Sequence, residues 1–110
     1  MSATLLAIFR RPDGGEEALA TFLRRYHGEH LPLIDKVPGL IGTDVERVAQ
    51  NYAGDDIVVV TRMTFANGDA LETGMASDEM RAAGRNLREI APGMLTLVRL
   101  EDDPIGRWNA

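Results

Sequence analysis

Four short stretches of apolar and β-branched residues are interleaved in this chain with two segments whose apolar side chains recur at helical spacing. Ala3 to Phe9 reads as a first strand, although its leucines and alanines would also suit a helix. Arg10-Arg11-Pro12-Asp13-Gly14-Gly15 ends it with turn formers. Glu16 and Glu17 then open a helix, where carboxylates favour the positive end of the dipole, and its apolar stripe runs Leu19, Phe22, Leu23, Tyr26, His30. Pro32 has no N–H for the carbonyl of Gly28, which predicts a kink, and Pro38-Gly39 ends the element. A second strand is expected from Ile41 to Ala49, then a turn at Asn51-Tyr52-Ala53-Gly54-Asp55. Ile57 to Phe65 begins with an unbroken β-branched run and predicts a third strand. A short helical piece follows around Asp69 to Thr73. Ser77 is placed to cap a helix over Asp78 to Ile90 that turns Met80, Ala83, Leu87 and Ile90 inward. Pro92-Gly93 stops it, and Met94 to Leu100 forms the fourth strand. The order β-α-β-β-α-β predicts an α+β, ferredoxin-like fold, an antiparallel sheet with two helices on one face.

The strands are apolar on both faces. Leu6 and Ile8 oppose Leu5 and Phe9; Val58 and Val60 oppose Ile57, Val59, Met63 and Phe65; Met94, Val98 and Leu100 oppose Leu95 and Leu97. A sheet with one wet face alternates apolar with polar residues. Two helices cover one face only, so the other needs cover from a second chain. A homodimer packed sheet to sheet is the expected assembly, two-fold symmetry being the commonest.

With 110 residues, one domain with one core is expected over the whole chain. The net charge of -5 has no lysine–arginine cluster to offset it, so the surface repels phosphate backbones and nucleic-acid binding is not expected. Cysteine is absent, which removes disulfides, thiolate catalysis and thiolate metal sites. No basic-then-apolar leader and no membrane-length apolar run is readable, and the cytoplasm is the expected location. His27 and His30 lack the further ligands of a metal site, so no metal is expected. Gly14-Gly15 lacks the spacing and lysine of a phosphate loop.

Tyr26-His27-Gly28-Glu29-His30-Leu31-Pro32-Leu33-Ile34-Asp35-Lys36-Val37-Pro38-Gly39-Leu40 carries the pattern Y-x-x-x-H-x-P-L-x-x-K-x-P-G-L. It resembles the EthD family of dimeric α+β-barrel proteins, and the flanking strands agree with that layout. The resemblance implies two ferredoxin-like chains whose sheets close a barrel-like dimer. It implies little about reaction, because the wider group includes cofactor-free monooxygenases, muconolactone isomerases, polyketide cyclases and haem-handling enzymes. The family's name comes from a role linked to ether degradation by a cytochrome oxygenase system. His30 alone carries over, as the histidine of H-x-P-L.

Two readings of His30 stand at this point. One is a general acid/base in a cleft between helix and sheet, suited to proton removal beside a carbonyl. The other is a structural ring satisfying carbonyls freed by Pro32. Tyr26, one turn earlier, would orient the imidazole or a substrate oxygen, or be a core residue. Phe9, Phe22, Met63 and Met80 would line an apolar pocket if they are not simply core. Arg62 would hold an anionic substrate or pair with Asp44 or Glu46. Trp108, in the polar tail, would clasp a partner or cap the cleft. The leading functional expectation is cofactor-independent chemistry on a small, apolar, oxygenated metabolite, aromatic or polyketide-like. The alternatives are a binding or accessory protein for a partner oxygenase, and a dimeric module with no small-molecule site.

Overall fold

A computed structural model of the chain describes residues 2–107. In order they form β1 (Ala3–Arg10), α1 (Gly15–Arg25), a π-helical turn (Tyr26–His30), α2 (Leu31–Ile34), β2 (Leu40–Arg47), β3 (Ile57–Phe65), α3 (Gly68–Met75), α4 (Asp78–Ile90) and β4 (Leu95–Leu100). The strands lie in the order β2-β3-β1-β4, every neighbouring pair antiparallel. This is the ferredoxin-like α+β arrangement that the element order predicts. Trp108 lies outside the described residues.

The alternation along β1 sets the two layers. Ala3, Leu5, Ala7 and Phe9 are buried, and the residues between them are half-buried. The same inner face continues on β3 through Val59, Thr61, Met63 and Phe65, which stand opposite Phe9, Ala7, Leu5 and Ala3. Helix residues Leu19, Phe22, Tyr26, Leu71 and Ala83 complete this core. On the outer face Leu6, Ile8 and Val60 are half-buried while Val98 and Leu100 are exposed, and Leu6 stands opposite Val98 and Ile8 opposite Val60. No helix of this chain covers them. Both apolar faces expected of the strands are therefore present, one covered and one open.

Several boundaries differ from expectation for local reasons. Around Pro32 the long helix departs from regular α geometry. It widens into the π-helical turn just before it, the N–H of Leu31 bonding the carbonyl of Tyr26, five residues back. Pro32 then falls in the first turn of α2, where a residue without an N–H is tolerated. β2 ends at Arg47, before Ala49, because the Asn51 side chain bonds the backbone of Ile57 at both N–H (3.1 Å) and carbonyl (3.0 Å) and closes the loop there. Met94 sits in the turn before β4 and is buried, not on the outer face; its carbonyl accepts from Arg10 N–H at 2.9 Å and lengthens β1 by a residue. α3 is longer than expected and is capped by Asn67, whose Oδ1 accepts from the N–H of Ala70 at 2.8 Å. Ser77 caps α4 as predicted, Oγ accepting from the N–H of Met80 at 3.1 Å.

Gly74 marks the tightest approach of α3 to the rest. A Cβ there would stand 2.8 Å from a ring carbon of Phe65 and 3.0 Å from the backbone carbonyl of Pro38. Phe65 is fully buried, so its ring has nowhere to go. Gly74→Ala is therefore expected to lower unfolding free energy by about 1–3 kcal/mol, despite the gain in helix propensity. Urea denaturation of the two proteins measures it; an equal or higher midpoint would mean that α3 is loosely seated.

Candidate functional site

The π-helical turn carries Tyr26 and His30 into the interior on the same side. Their rings stack with centroids 5.3 Å apart and planes 22° from parallel. Beneath them Tyr26 packs on Phe9 at 5.0 Å and on Phe22 at 5.4 Å. Its hydroxyl reaches across the layers to share a hydrogen bond with Thr61 Oγ1 of β3, at 2.5 Å. Burial pushes the phenol up to about 12, so it remains protonated at neutral pH.

His30 is 3% exposed. Its Nδ1 is 3.1 Å from Asn86 Oδ1 of α4, and Asn86 Nδ2 donates to Glu29 Oε1, also at 3.1 Å. Glu29 is in turn clamped by Arg25, with Nε–Oε2 at 2.7 Å and Nη2–Oε1 at 3.2 Å, and Arg25 also reaches Glu89 of α4 at 2.9 Å. Loss of hydration holds the His30 imidazole below its usual range, against the smaller opposing effect of the Asn86 bond. The ring is thus neutral at pH 7. The Arg25 hydrogen bond, above all, keeps the Glu29 carboxyl below its ordinary range and hence ionised. The ring of His30 is bonded to a side chain and not to carbonyls freed by Pro32.

A cavity of about 170 Å³ opens above these residues, between α4 and the sheet. Its wall is apolar, with Met63, Met75, Met80, Leu87 and Leu97 around it, and its only polar groups are those of Tyr26, His30 and Thr61. No lysine, arginine, aspartate or glutamate lines it. Small residues contribute to its lining from both layers, Ala7 on β1 and Ala83 and Gly84 on α4. Methionine suits such a wall, its flexible thioether fitting ligands of irregular outline. Among the described residues no partner takes His30 Nε2, and that atom is not sealed from solvent, while the His30 side chain itself lines this space.

His30, Tyr26, Met63 and Met80 are thus brought together as the sequence pattern suggests. Phe9 and Phe22 are not on the cavity wall. They lie under Tyr26 as an aromatic cluster, their own rings 5.4 Å apart, because helical and strand spacing point both of them into the core. Arg62 is on the opposite face. Strand alternation puts it outward, exposed and opposite Asp44 in register, and it forms no ion pair with Asp44 or Glu46 among the described residues. Thr61, Asn86, Glu29 and Met75 were missed. Thr61 had a signal, a polar residue on the inward face of β3, and Asn86 lies three residues after inward Ala83 and four before inward Ile90.

A wider groove of about 830 Å³ runs between the β1–α1 loop and the end of α4. Its three arginines are all engaged, Arg10 with Thr96 and the carbonyl of Gly93, Arg11 with Asp56, Arg25 with Glu29 and Glu89. It is open and holds no free cation among the described residues, so the smaller cavity at His30 is the better site.

Solved structures share this ferredoxin-like α+β fold. No family model and no curated protein matches the sequence. Among solved structures, an EthD family protein from Bacillus halodurans superposes with a TM-score of 0.82 at 27% identity, over 94% of this chain and 100% of that one. A dimeric ferredoxin-like protein of unknown function from Jannaschia sp. matches with a TM-score of 0.67 at 17% identity, over 92% and 99% of the two chains. SnoaB, a cofactor-independent oxygenase from Streptomyces nogalater, matches with a TM-score of 0.57 at 16% identity, over 90% and 88%. The last two likenesses are of fold alone. The first likeness spans nearly the whole chain and bears out the resemblance to the EthD family carried by Tyr26–Leu40.

The buried neutral imidazole has a consequence for stability. The unfolded chain protonates His30 near pH 6.5, whereas the folded state resists protonation until lower pH. Below 6.5 the unfolded state binds more protons, so stability falls as pH drops toward the lowered folded value. The exposed Glu29 adds to acid loss only below its ordinary value of 4.5. Denaturant unfolding at pH 7.5, 6.5 and 5.5 should therefore show a decline that is flattened in His30→Gln. Identical pH slopes in the two proteins would contradict a neutral, desolvated His30.

Proposed function

We propose that this protein catalyses cofactor-independent proton transfer on a small, uncharged, single-ring oxygenated molecule, with His30 as proton acceptor. The observation that carries the reading is the neutral imidazole at the floor of an apolar cavity, held at one ring nitrogen and open at the other. A dry apolar cavity of about 150 Å³ accommodates benzene, so about 170 Å³ suits one substituted ring and not a fused polyketide. With no charged side chain in the wall, an ionic substrate would lose its hydration without compensation. A hydroxyl or a C–H next to a carbonyl would give its proton to His30 Nε2. Two hydroxyls that share one hydrogen bond have one O–H left over, so the Tyr26–Thr61 pair can meet the charge developing on the substrate oxygen. Isomerisation, cyclisation and oxygenation can each begin with such a step, whereas decarboxylation needs an anionic substrate that this wall does not favour. The same fold in SnoaB, a cofactor-independent oxygenase, is compatible with it.

The nearly unbroken apolar wall also favours a second reading, a binding or accessory protein that carries such a molecule to a partner oxygenase. His30→Gln separates the two. On neutral phenols and cyclic diketones of one ring, the substitution should cost on the order of 10²–10⁴-fold in kcat/KM while binding of the same compounds persists. The acid limb of the wild-type profile should have its midpoint below 6.5. Unchanged turnover in the variant would remove His30 from the chemistry, and binding without turnover in the wild type would favour the carrier.

We infer further that two copies pair through the outer sheet face. Leu6, Ile8, Val60, Val98 and Leu100 form its apolar centre, and Thr4, Asp44, Arg62 and Thr64 lie on the same face around it. An apolar centre with a polar rim is the anatomy of an association surface, and several structures of this fold are described as dimeric. Val98→Arg should raise the dimer dissociation constant at least ~100-fold by burying unpaired charge. Sedimentation equilibrium measures it. Tyr26 and His30 belong to the other face, so a variant that remains dimeric would redirect the interface elsewhere.

A further inference from the structure

We propose that Glu29 and Asn86 form a positioning relay that fixes His30 as the Nδ1–H tautomer, so that Nε2 is always the nitrogen presented as base to the cavity. The inference rests on the reading of His30 as proton acceptor and adds how the imidazole is made ready for it.

The logic follows from donor and acceptor identities along the chain of contacts. An ionised carboxylate accepts only. The group of Asn86 that faces Glu29 Oε1 is therefore its NH₂, at 3.1 Å, and the amide oxygen must turn toward His30. That oxygen, 3.1 Å from Nδ1, needs a proton on the ring nitrogen. A flipped amide would set oxygen against carboxylate. The charge two contacts away thus decides the tautomer, as it does wherever one ring nitrogen is bonded by an oriented partner. Glu29 is itself immobile, since Arg25 clamps both of its oxygens and is tied in turn to Glu89 on α4. Both ends of the relay are anchored, one on α1 and the π-helical turn, the other on α4. Among the described residues that line the cavity with His30, Tyr26 is the only other titratable group; β1, β3, β4 and α2 contribute apolar side chains and the hydroxyl of Thr61. No competing charge would pull the proton to Nε2.

The relay differs from ordinary helix–helix adhesion in what it predicts. ¹⁵N NMR of the imidazole at pH 7.5, with the two histidines separated by the His27→Gln variant, should show Nδ1 protonated and Nε2 bare. In Asn86→Leu the ring loses its acceptor, and the two tautomers should mix. If turnover is present, kcat should fall about 2–10-fold with KM little changed, in proportion to the share of the population that loses the Nδ1–H form. Glu29→Gln keeps a side-chain carbonyl able to accept from Asn86, so it should retain the wild-type tautomer, while Glu29→Leu should not. Circular dichroism checks that each variant is folded; should Asn86→Leu fail to fold, the Glu29 pair carries the test. A mixed or Nε2–H ring in the wild type would overturn the relay even if His30→Gln abolishes turnover. A clean Nδ1–H ring with turnover unaffected by His30→Gln would instead overturn the role of His30 and leave the relay standing.

Discussion

Tyr26 must bury an aromatic ring and still find a partner for its hydroxyl, and the way it meets both demands sets the relation between the two layers. The ring lies on Phe9 of β1 and Phe22 of α1, and the hydroxyl is bonded to Thr61 on the central strand β3. An unpaired buried hydroxyl would cost about 1–3 kcal/mol, so the helix cannot slide along the sheet without loss. His30 is stacked on the same ring. Its depth and facing are thereby inherited from a core contact and not from a flexible loop.

The cavity follows from what surrounds this contact. Small residues contribute to its lining from both layers, Ala83 and Gly84 on α4 and Ala7 on β1, which leaves less side-chain volume there. A core closes such gaps unless something prevents it. Here α4 is held at its distance by the cross-links at its edge, Asn86 to His30 and Glu29, and Glu89 to Arg25. Polar contacts at the rim and small residues inside keep an apolar space beside an ionisable ring. Burial makes that ring neutral, which is the form a base requires.

The fold was accessible from residue pattern to a large extent, and for a definite reason. Period-two and helical spacings, the Pro-Gly stops and the Ser77 cap are local, so each element announces itself within a few residues. The open outer face was also visible, since alternation failed on three strands. Differences came where a local rule met a tertiary contact. Pro32 predicts a kink in isolation; the departure from α geometry is a π-helical turn ahead of it, where Tyr26 and His30 are held in the core. Met94 alternates with Leu95 on paper and is drawn into the turn by its bond from Arg10. Among the candidate site residues, Arg62 shares the outer face of β3 with Val60, away from the cavity, and Phe9 and Phe22 are indistinguishable from wall residues by spacing.

What the linear order settles here is the set of elements, their order, which side of each strand is apolar, and that one histidine falls on a buried stripe next to a tyrosine. All of these depend on periodicity and on residue type, which are properties of short segments. It leaves undecided the partners of that histidine. Asn86 is 56 residues away from His30 along the chain, and Thr61 is 35 from Tyr26. No spacing rule links such pairs. Only the packing of α4 against the π-helical turn, and of that turn against β3, brings a carboxylate, an amide and an imidazole into one bonded series, stacked on a second bonded pair of hydroxyls beside an apolar cavity.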